Sequence, residues 1–266
     1  MSVLIVIPAR FPSTRYPGKP LVQLRGATGQ RRSLIQRTWE AAQEVAGIDR
    51  VVVATDDDRI KSAAEEFGAE VVMTSDTCVN GTERCAEALA ALGGGYDIVI
   101  NLQGDAPLTP VWFVEGLIAA LSAHPTAEVA TPVLRCDGTA LNGFLEDRRA
   151  GRVGGTTAVF SQDNRAMYFS KEVIPFTTET YPDTAETPVF HHVGVYAYRP
   201  SALAAYPLWP QGRLERLEGL EQLRFMEQDH PVLCVEVEAR GRQFWELNNP
   251  SDVARIEAMM AEMGLE

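Results

Sequence analysis

Val3-Leu4-Ile5-Val6-Ile7-Pro8 opens the chain. After a loop come Ser33-Leu34-Ile35-Gln36-Arg37-Thr38-Trp39-Glu40-Ala41-Ala42-Gln43-Glu44-Val45-Ala46-Gly47 and then Arg50-Val51-Val52-Val53-Ala54-Thr55. The two outer pieces are short, nearly continuous aliphatic runs, the pattern of strands buried on both faces. In the middle piece Leu34, Ile35, Thr38, Trp39, Ala42 and Val45 return to one face at helical spacing. Ser33 stands where a helix needs a cap, and Gly47 where it can end. Strand, helix and strand in this order predict a βα unit on a parallel sheet.

The same alternation continues outward. Strand-like runs at 70–73, 98–102 and 129–133 are separated by helical patterns at 57–67, 82–92 and 110–123. Past about residue 135 the rhythm changes. A Gly- and Arg-rich stretch over 142–155 precedes strand-like 156–160 and 166–169, and a Thr- and Pro-rich segment covers 175–188. Strands are predicted again at 193–198 and 232–237, and Val253, Ile256, Met260 and Met263 make the buried stripe of a last helix. With no repeat or low-complexity linker, 1–266 reads as a single α/β domain whose 135–200 region is a substrate-side insertion.

Composition narrows the function. The 266 residues carry 24 basic and 36 acidic side chains, a net charge of −12, which argues against general nucleic-acid binding through a basic surface. A composition 45% hydrophobic and 23% charged belongs to an ordinary globular protein. No run approaches the roughly 20 apolar residues of a membrane span, and 1–8 is too short for a signal peptide, so a cytoplasmic location without a membrane partner is expected. Cys78, Cys85, Cys136 and Cys234 form no CxxC pair and read as reduced, mostly buried thiols.

The chemistry concentrates where strands end. The first strand runs into Pro8-Ala9-Arg10-Phe11-Pro12-Ser13-Thr14-Arg15-Tyr16-Pro17-Gly18-Lys19-Pro20, with cations at Arg10, Arg15 and Lys19. Open α/β sheets bind ligands at that edge, and a cationic cluster in an acidic chain fits an anion such as a phosphate. The other reading is a proline-stiffened loop with solvated arginines. It is neither a Walker loop nor a GxGxxG fingerprint. Asp105 follows the fourth strand, as a hard oxygen ligand for a cation or as a turn former. Asn80 or Thr82 can cap the helix that Gly81 opens. Asp56 is expected to cap the 57–67 helix, the alternative being an acidic metal motif of Asp56 and Asp58. Glu218, Glu221 and Gln222 have the i, i+3, i+4 spacing of one helical face.

Four of these segments together, the 8–20 loop, Val53-Ala54-Thr55-Asp56, Gly81-Thr82-Glu83-Arg84 and Gln103-Gly104-Asp105-Ala106-Pro107, resemble in order and spacing the 3-deoxy-manno-octulosonate cytidylyltransferases. His192-Val193-Gly194-Val195-Tyr196 and Leu220-Glu221-Gln222-Leu223-Arg224 extend the likeness over nearly the whole chain. The resemblance implies a Rossmann-like nucleotidyltransferase fold with a mixed, mostly parallel central sheet, its insertion serving substrate and dimerisation. It implies transfer of CMP from CTP to an acidic eight-carbon sugar, with magnesium as cofactor and a homodimer as the assembly. Arg10, Lys19 and Asp105 would be catalytic; Ala9, Arg10, Arg15, Lys19, Asn80, Gly81, Thr82 and Arg84 would bind nucleotide. Gln103, Lys171, His192, Tyr196, Glu221 and Gln222 would bind the sugar, and Asp105 with Asn248 the metal.

The chain also departs from that pattern. Asn80 replaces a serine, Lys171 an arginine, and the family's Asp-Pro-Asn-type segment is altered near 154–157. Asn248-Asn249-Pro250-Ser251-Asp252 stands where an Asp-Thr-Pro-Glu-Asp-like segment is usual, so a neutral amide takes the second metal position. These changes leave the acceptor open to another acidic sugar or hydroxy acid. Two readings of other classes remain, a glycosyltransferase using Asp56 and Asp58, and a nucleotide-binding module with a degenerate site.

Overall fold

The predicted first strand forms as β1 (Val3–Ala9), all seven residues buried, in the computed structural model of the chain. The structure describes residues 1–12, 16–105, 107–242, 247 and 249–266. Two compact units emerge: unit 1 comprises Met1–Glu115, Tyr198–Pro207 and Arg240–Glu266, and unit 2 comprises Gly116–Ala197 and Leu208–Ala239.

In unit 1, β1 is followed by a hairpin of β2 (Gln23–Arg25) and β3 (Arg31–Ser33), then α1 (Leu34–Gln43), β4 (Arg50–Thr55), α2 (Asp58–Glu66), β5 (Glu70–Met73), α3 (Gly81–Ala91) and β6 (Ile98–Leu102). β1 pairs in parallel with β4 on one side and β6 on the other, and β4 pairs in parallel with β5. The order β5-β4-β1-β6 means that the chain builds one way from β1 and then crosses to its other side. The C-terminal ends of β1 and β6 therefore flank a topological switch point, where open α/β sheets bind ligands. Val3, Leu4, Ile5, Val6 and Ile7 are wholly buried, and truncating one to alanine is worth roughly 1–5 kcal/mol.

The expected helix caps form, with one correction. Ser33 Oγ accepts from Gln36 N at 3.3 Å and starts α1. Asp57, not Asp56, caps α2: its Oδ1 accepts from Arg59 N at 2.9 Å. Asp56 is drawn away by Arg84, 3.2 Å from its carboxylate. The hairpin β2–β3 has no counterpart in the sequence reading, because three-residue strands rich in Arg and Gln show no hydrophobic run.

The boundary between the units falls within α4 (Val111–Ala123). Unit 2 continues with β7 (Val129–Asp137), α5 (Gly138–Arg149), β8 (Thr156–Phe160), β9 (Ala166–Ser170), β10 (Glu186–His192) and β11 (Val195–Tyr198), whose last residue belongs to unit 1. The chain then forms α6 (Pro200–Ala205) in unit 1, α7 (Arg213–Glu218), α8 (Gln222–Glu227) and β12 (Val232–Val237) in unit 2, and α9 (Asp252–Met263) in unit 1. In unit 2, β11, β7, β10, β8 and β9 lie in that order. β10 is antiparallel to both β7 and β8, β8 is antiparallel to β9, and β12 is parallel to β7. The sheet strands are thus mixed, with the parallel α/β alternation carried by unit 1.

Three expectations for unit 2 change. Part of the Gly- and Arg-rich stretch is α5, capped by Asp137, whose Oδ1 accepts from Ala140 N at 2.8 Å. β10 begins inside the Thr- and Pro-rich segment. Glu218, Glu221 and Gln222 do not share a helix: Gly219, at φ 63°, ends α7, and α8 starts only at Gln222.

The last helix is anchored as its pattern predicts. Ile256 and Met260 are buried with Leu24, Leu34, Leu108 and Leu247, and Val253 and Met263 pack against them. Ala27 N donates to Leu265 O at 2.8 Å, which ties the end of α9 to the β2–β3 turn. Among the described residues no helix is long and apolar enough to cross a membrane. All four cysteines are free, three of them buried and Cys78 half-buried.

Candidate active site

Gly18 and Gly104 fix the backbone at the switch point. Gly18 N donates to Phe11 O at 3.0 Å and closes the loop after β1. At φ 70°, with the Phe11 ring 3.0 Å from where a Cβ would stand, position 18 requires glycine. One 3-10 turn over Lys19–Leu21 follows and delivers the lysine. Opposite it, beyond β6, a Cβ on Gly104 would come within 3.0 Å of Pro8 O, so the two strand ends approach as only glycine allows.

The result is an ion pair between sequence-distant segments: Lys19 Nζ donates to Asp105 Oδ2 at 2.7 Å. Both groups are partly exposed, with side-chain accessibilities of 17% and 26%, so a ligand can reach them. Ala9 is buried at the end of β1, and Arg10 beside it is exposed. Arg15 lies outside the described residues, as does Asn248. Leu247 N donates to Asp105 O at 3.0 Å, which holds Leu247 against the aspartate's backbone. A single carboxylate with hard oxygens fits magnesium, which is commonly held by one or two carboxylates plus substrate phosphates. Among the described residues no cluster of three or more His, Cys, Asp or Glu side chains could cage a metal alone.

The start of α3 forms the second part of unit 1's constellation. Asn80 caps the helix, its Oδ1 accepting from Glu83 N at 2.9 Å, while its Nδ2 donates to Tyr206 Oη at 2.9 Å. Thr82 is buried with its hydroxyl 2.8 Å from Tyr198 Oη. Arg84, which the resemblance puts among the nucleotide-binding residues, is turned inward and 3% exposed. It reaches Thr74 Oγ1 at 2.5 Å and Asp56 at 3.2 Å, and so braces the segment from beneath. This engagement also removes Asp56 from any metal motif with Asp58. Gln103 lies against Gly81: a Cβ there would stand 2.8 Å from its Nε2.

Unit 2 holds the residues expected on the sugar side other than Gln103. His192 on β10 is 6% exposed, its Nε2 lies 2.9 Å from Thr131 Oγ1, and its ring packs 5.6 Å from that of Tyr196. Burial, with a smaller contribution from neighbouring His191, pushes its pKa down to about 3, so the imidazole is neutral. Tyr196 Oη donates to Gln222 Oε1 at 3.0 Å, and Gln222 Nε2 is buried without a partner among the described residues. Lys171 N donates to Glu218 Oε2 at 3.0 Å, and Glu218 also accepts from Ser170 Oγ at 2.7 Å. Glu218, whose spacing puts it on one helical face with Glu221 and Gln222, is instead a hub for the end of β9. Glu221 is half-buried just before α8. A buried pair of Glu215 and Arg224, with two contacts of 2.7 Å, was not singled out because charged residues in a short helix normally read as solvated.

A parallel α/β unit with a lysine–aspartate pair at its switch point and a glycine-opened helix beside it has the layout of a nucleotidyltransferase. The family model described as cytidylyltransferase matches residues 4–232. A 3-deoxy-manno-octulosonate cytidylyltransferase of Maricaulis maris is 44% identical over 264 residues, covering 99% of both chains. An 8-amino-3,8-dideoxy-manno-octulosonate cytidylyltransferase of Shewanella frigidimarina is 40% identical, covering 98% of this chain and 99% of its own. The solved structure of a CMP:2-keto-3-deoxy-manno-octonic acid synthetase complexed with CTP superposes with a TM-score of 0.82 at 32% identity, covering 99% of this chain and 100% of its own. The chain belongs to the cytidylyltransferase family.

Proposed function

We propose that this enzyme transfers a cytidylyl group from CTP to 3-deoxy-manno-octulosonate and releases pyrophosphate. The observation that carries this reading is the Lys19–Asp105 pair, 2.7 Å apart at the switch point, in a chain 44% identical to an enzyme named for that reaction. An acceptor hydroxyl oxygen bonds to the α-phosphorus while the bond to the β-phosphate oxygen breaks; pyrophosphate leaves and the hydroxyl proton passes to solvent. Such a transfer depends on positioning and charge stabilisation more than on a protein nucleophile. Lys19 with Arg10 and Arg15 supplies positive charge to the phosphates, and the segment Asn80–Thr82 seats the base.

Magnesium is the proposed cofactor, with Asp105 and Asn248 as its protein ligands and phosphate-charge neutralisation as its contribution. His192, Tyr196, Gln222, Glu221 and Lys171 of unit 2 are proposed acceptor residues, and Gln103 of unit 1 is proposed by the resemblance alone. His192, being neutral, acts there as a hydrogen-bonding and packing group. A cytoplasmic homodimer supplying cell-envelope glycan synthesis is the setting this reading implies.

The 8-amino relative at 40% identity favours one competing acceptor, 8-amino-3,8-dideoxy-manno-octulosonate. Pyrophosphate release should be measured with CTP, UTP, ATP and GTP against both sugars. The proposal expects release with CTP and 3-deoxy-manno-octulosonate, at a higher kcat/KM than with the amino sugar. The reverse order would move the acceptor assignment, and no release with either would remove it.

A further inference from the structure

Asn101 sits inside β6 among the buried apolar residues Ile98, Val99, Ile100 and Leu102. Its exposure is 0%, and neither its carboxamide nitrogen nor its oxygen has a hydrogen-bond partner among the described residues. A buried amide with both ends unmatched is costly, and an apolar side chain of similar size would avoid that cost. The amide also has a direction. A Cβ on Gly81 would stand 3.2 Å from Asn101 Nδ2, 2.8 Å from Gln103 Nε2 and 3.4 Å from Gln103 Oε1. Gly81 is the first residue of the 11-residue α3. The carboxamides of residues 101 and 103, two positions apart along the extended chain, therefore flank one point on the segment proposed to seat the base.

Resting on the reading of Asn80–Thr82 as the base's seat, we propose that Asn101 is a positioning residue for nucleotide binding. With a cytidine nucleotide on that segment, its carboxamide hydrogen-bonds to that of Gln103 across Gly81 and fixes the helix start and the end of β6 in one arrangement. The unmatched amide is then retained for the bound state at the expense of the free one. Gly81 is required because any side chain there would push the two carboxamides apart.

Asn101→Leu, Gln103→Ala and the double variant test this, with CTP affinity measured by calorimetry and stability by thermal unfolding. Asn101→Leu should melt at or above the wild-type temperature yet bind CTP about three- to tenfold more weakly, the worth of one net hydrogen bond. The double variant should bind no more weakly than Gln103→Ala alone, since the two residues act as a unit. Unchanged CTP affinity in Asn101→Leu, a lowered melting temperature with affinity intact, or strictly additive effects would each overturn the proposal. Asn101→Thr, which keeps a strand-forming side chain, gives the same readout if the leucine variant fails to fold. Wild-type protein that binds no CTP would sink the cytidylyl reading itself, whereas wild-type binding with no effect of Asn101 sinks only this inference.

Discussion

Lys19 and Asp105 are separated by 86 positions and meet only because the ends of β1 and β6 converge. In the proposed reaction each has a separable job, the lysine toward the phosphates and the aspartate toward a cation. Lys19→Ala should lower kcat/KM by about a hundred- to a thousandfold, the usual cost of losing a preorganised charge contact in a transition state. Circular dichroism and melting should stay near wild type, because the side chain lies outside the core. Wild-type kinetics in that variant would displace the phosphate assignment. Asn248→Asp should lower the magnesium concentration for half-maximal rate, as a carboxylate binds the ion better than an amide; an unchanged magnesium titration would move the metal elsewhere. His192 gives a pH prediction of definite sign. Its folded pKa of about 3 lies below the ordinary 6.5, so between those values the unfolded chain takes up a proton that the folded chain refuses. Stability from this group is complete above pH 6.5 and is lost as pH falls, by up to roughly 1.4 kcal/mol per pH unit. Urea unfolding at pH 7.5 and 5.5 should show a smaller loss in His192→Gln than in wild type, and equal losses would contradict the buried, neutral assignment.

Elements differ in how plainly the sequence announces them. β1, β4 and β6 are legible because parallel strands covered on both faces need nearly continuous aliphatic runs, and the sequence supplies Val3–Ile7, Val51–Ala54 and Ile98–Ile100. The site loops were legible for a related reason: glycines at 18, 81 and 104 mark places where backbone approaches backbone or side chain. Short elements were not. β10 is disguised by Pro188 within its span, and α5 by Gly143 and its arginines. Arg84 illustrates the limit at a single side chain. Nothing in its spacing from Gly81 tells that Asp56 and Thr74, from other segments, turn it inward. The same is true of α7 and α8, which Arg224 and Glu215 clasp at 1% and 5% exposure. Replacing Arg224 by leucine would leave a buried carboxylate without its partner and should cost on the order of 3–5 kcal/mol in chemical unfolding. A loss below about 1 kcal/mol would mean that the pair is solvated.

For the molecule as a whole, the acidic balance and the local cations point the same way. A chain of net charge −12 repels polyanions generally, so on the proposed reading a triphosphate depends on local positive charge, from Lys19 and its neighbours in the loop after β1 and from magnesium. The α/β alternation from β1 to β6 in unit 1 was legible apart from the short β2–β3 hairpin. The division into two units was not, since α4 carries the chain across the boundary as an unbroken apolar helix with no linker composition. On the proposed function, the ends of β1 and β6 form one catalytic centre that moves the α-phosphorus of CTP. Single-turnover transfer from CTP labelled at that phosphorus tests it most directly, with 3-deoxy-manno-octulosonate as acceptor, in wild type, Lys19→Ala and Asp105→Asn. Label should appear in a CMP–sugar with unlabelled pyrophosphate released, and both variants should lose this transfer by about a hundredfold or more. Label that stays in free nucleotide with wild-type enzyme, or transfer at the wild-type rate in either variant, would contradict it.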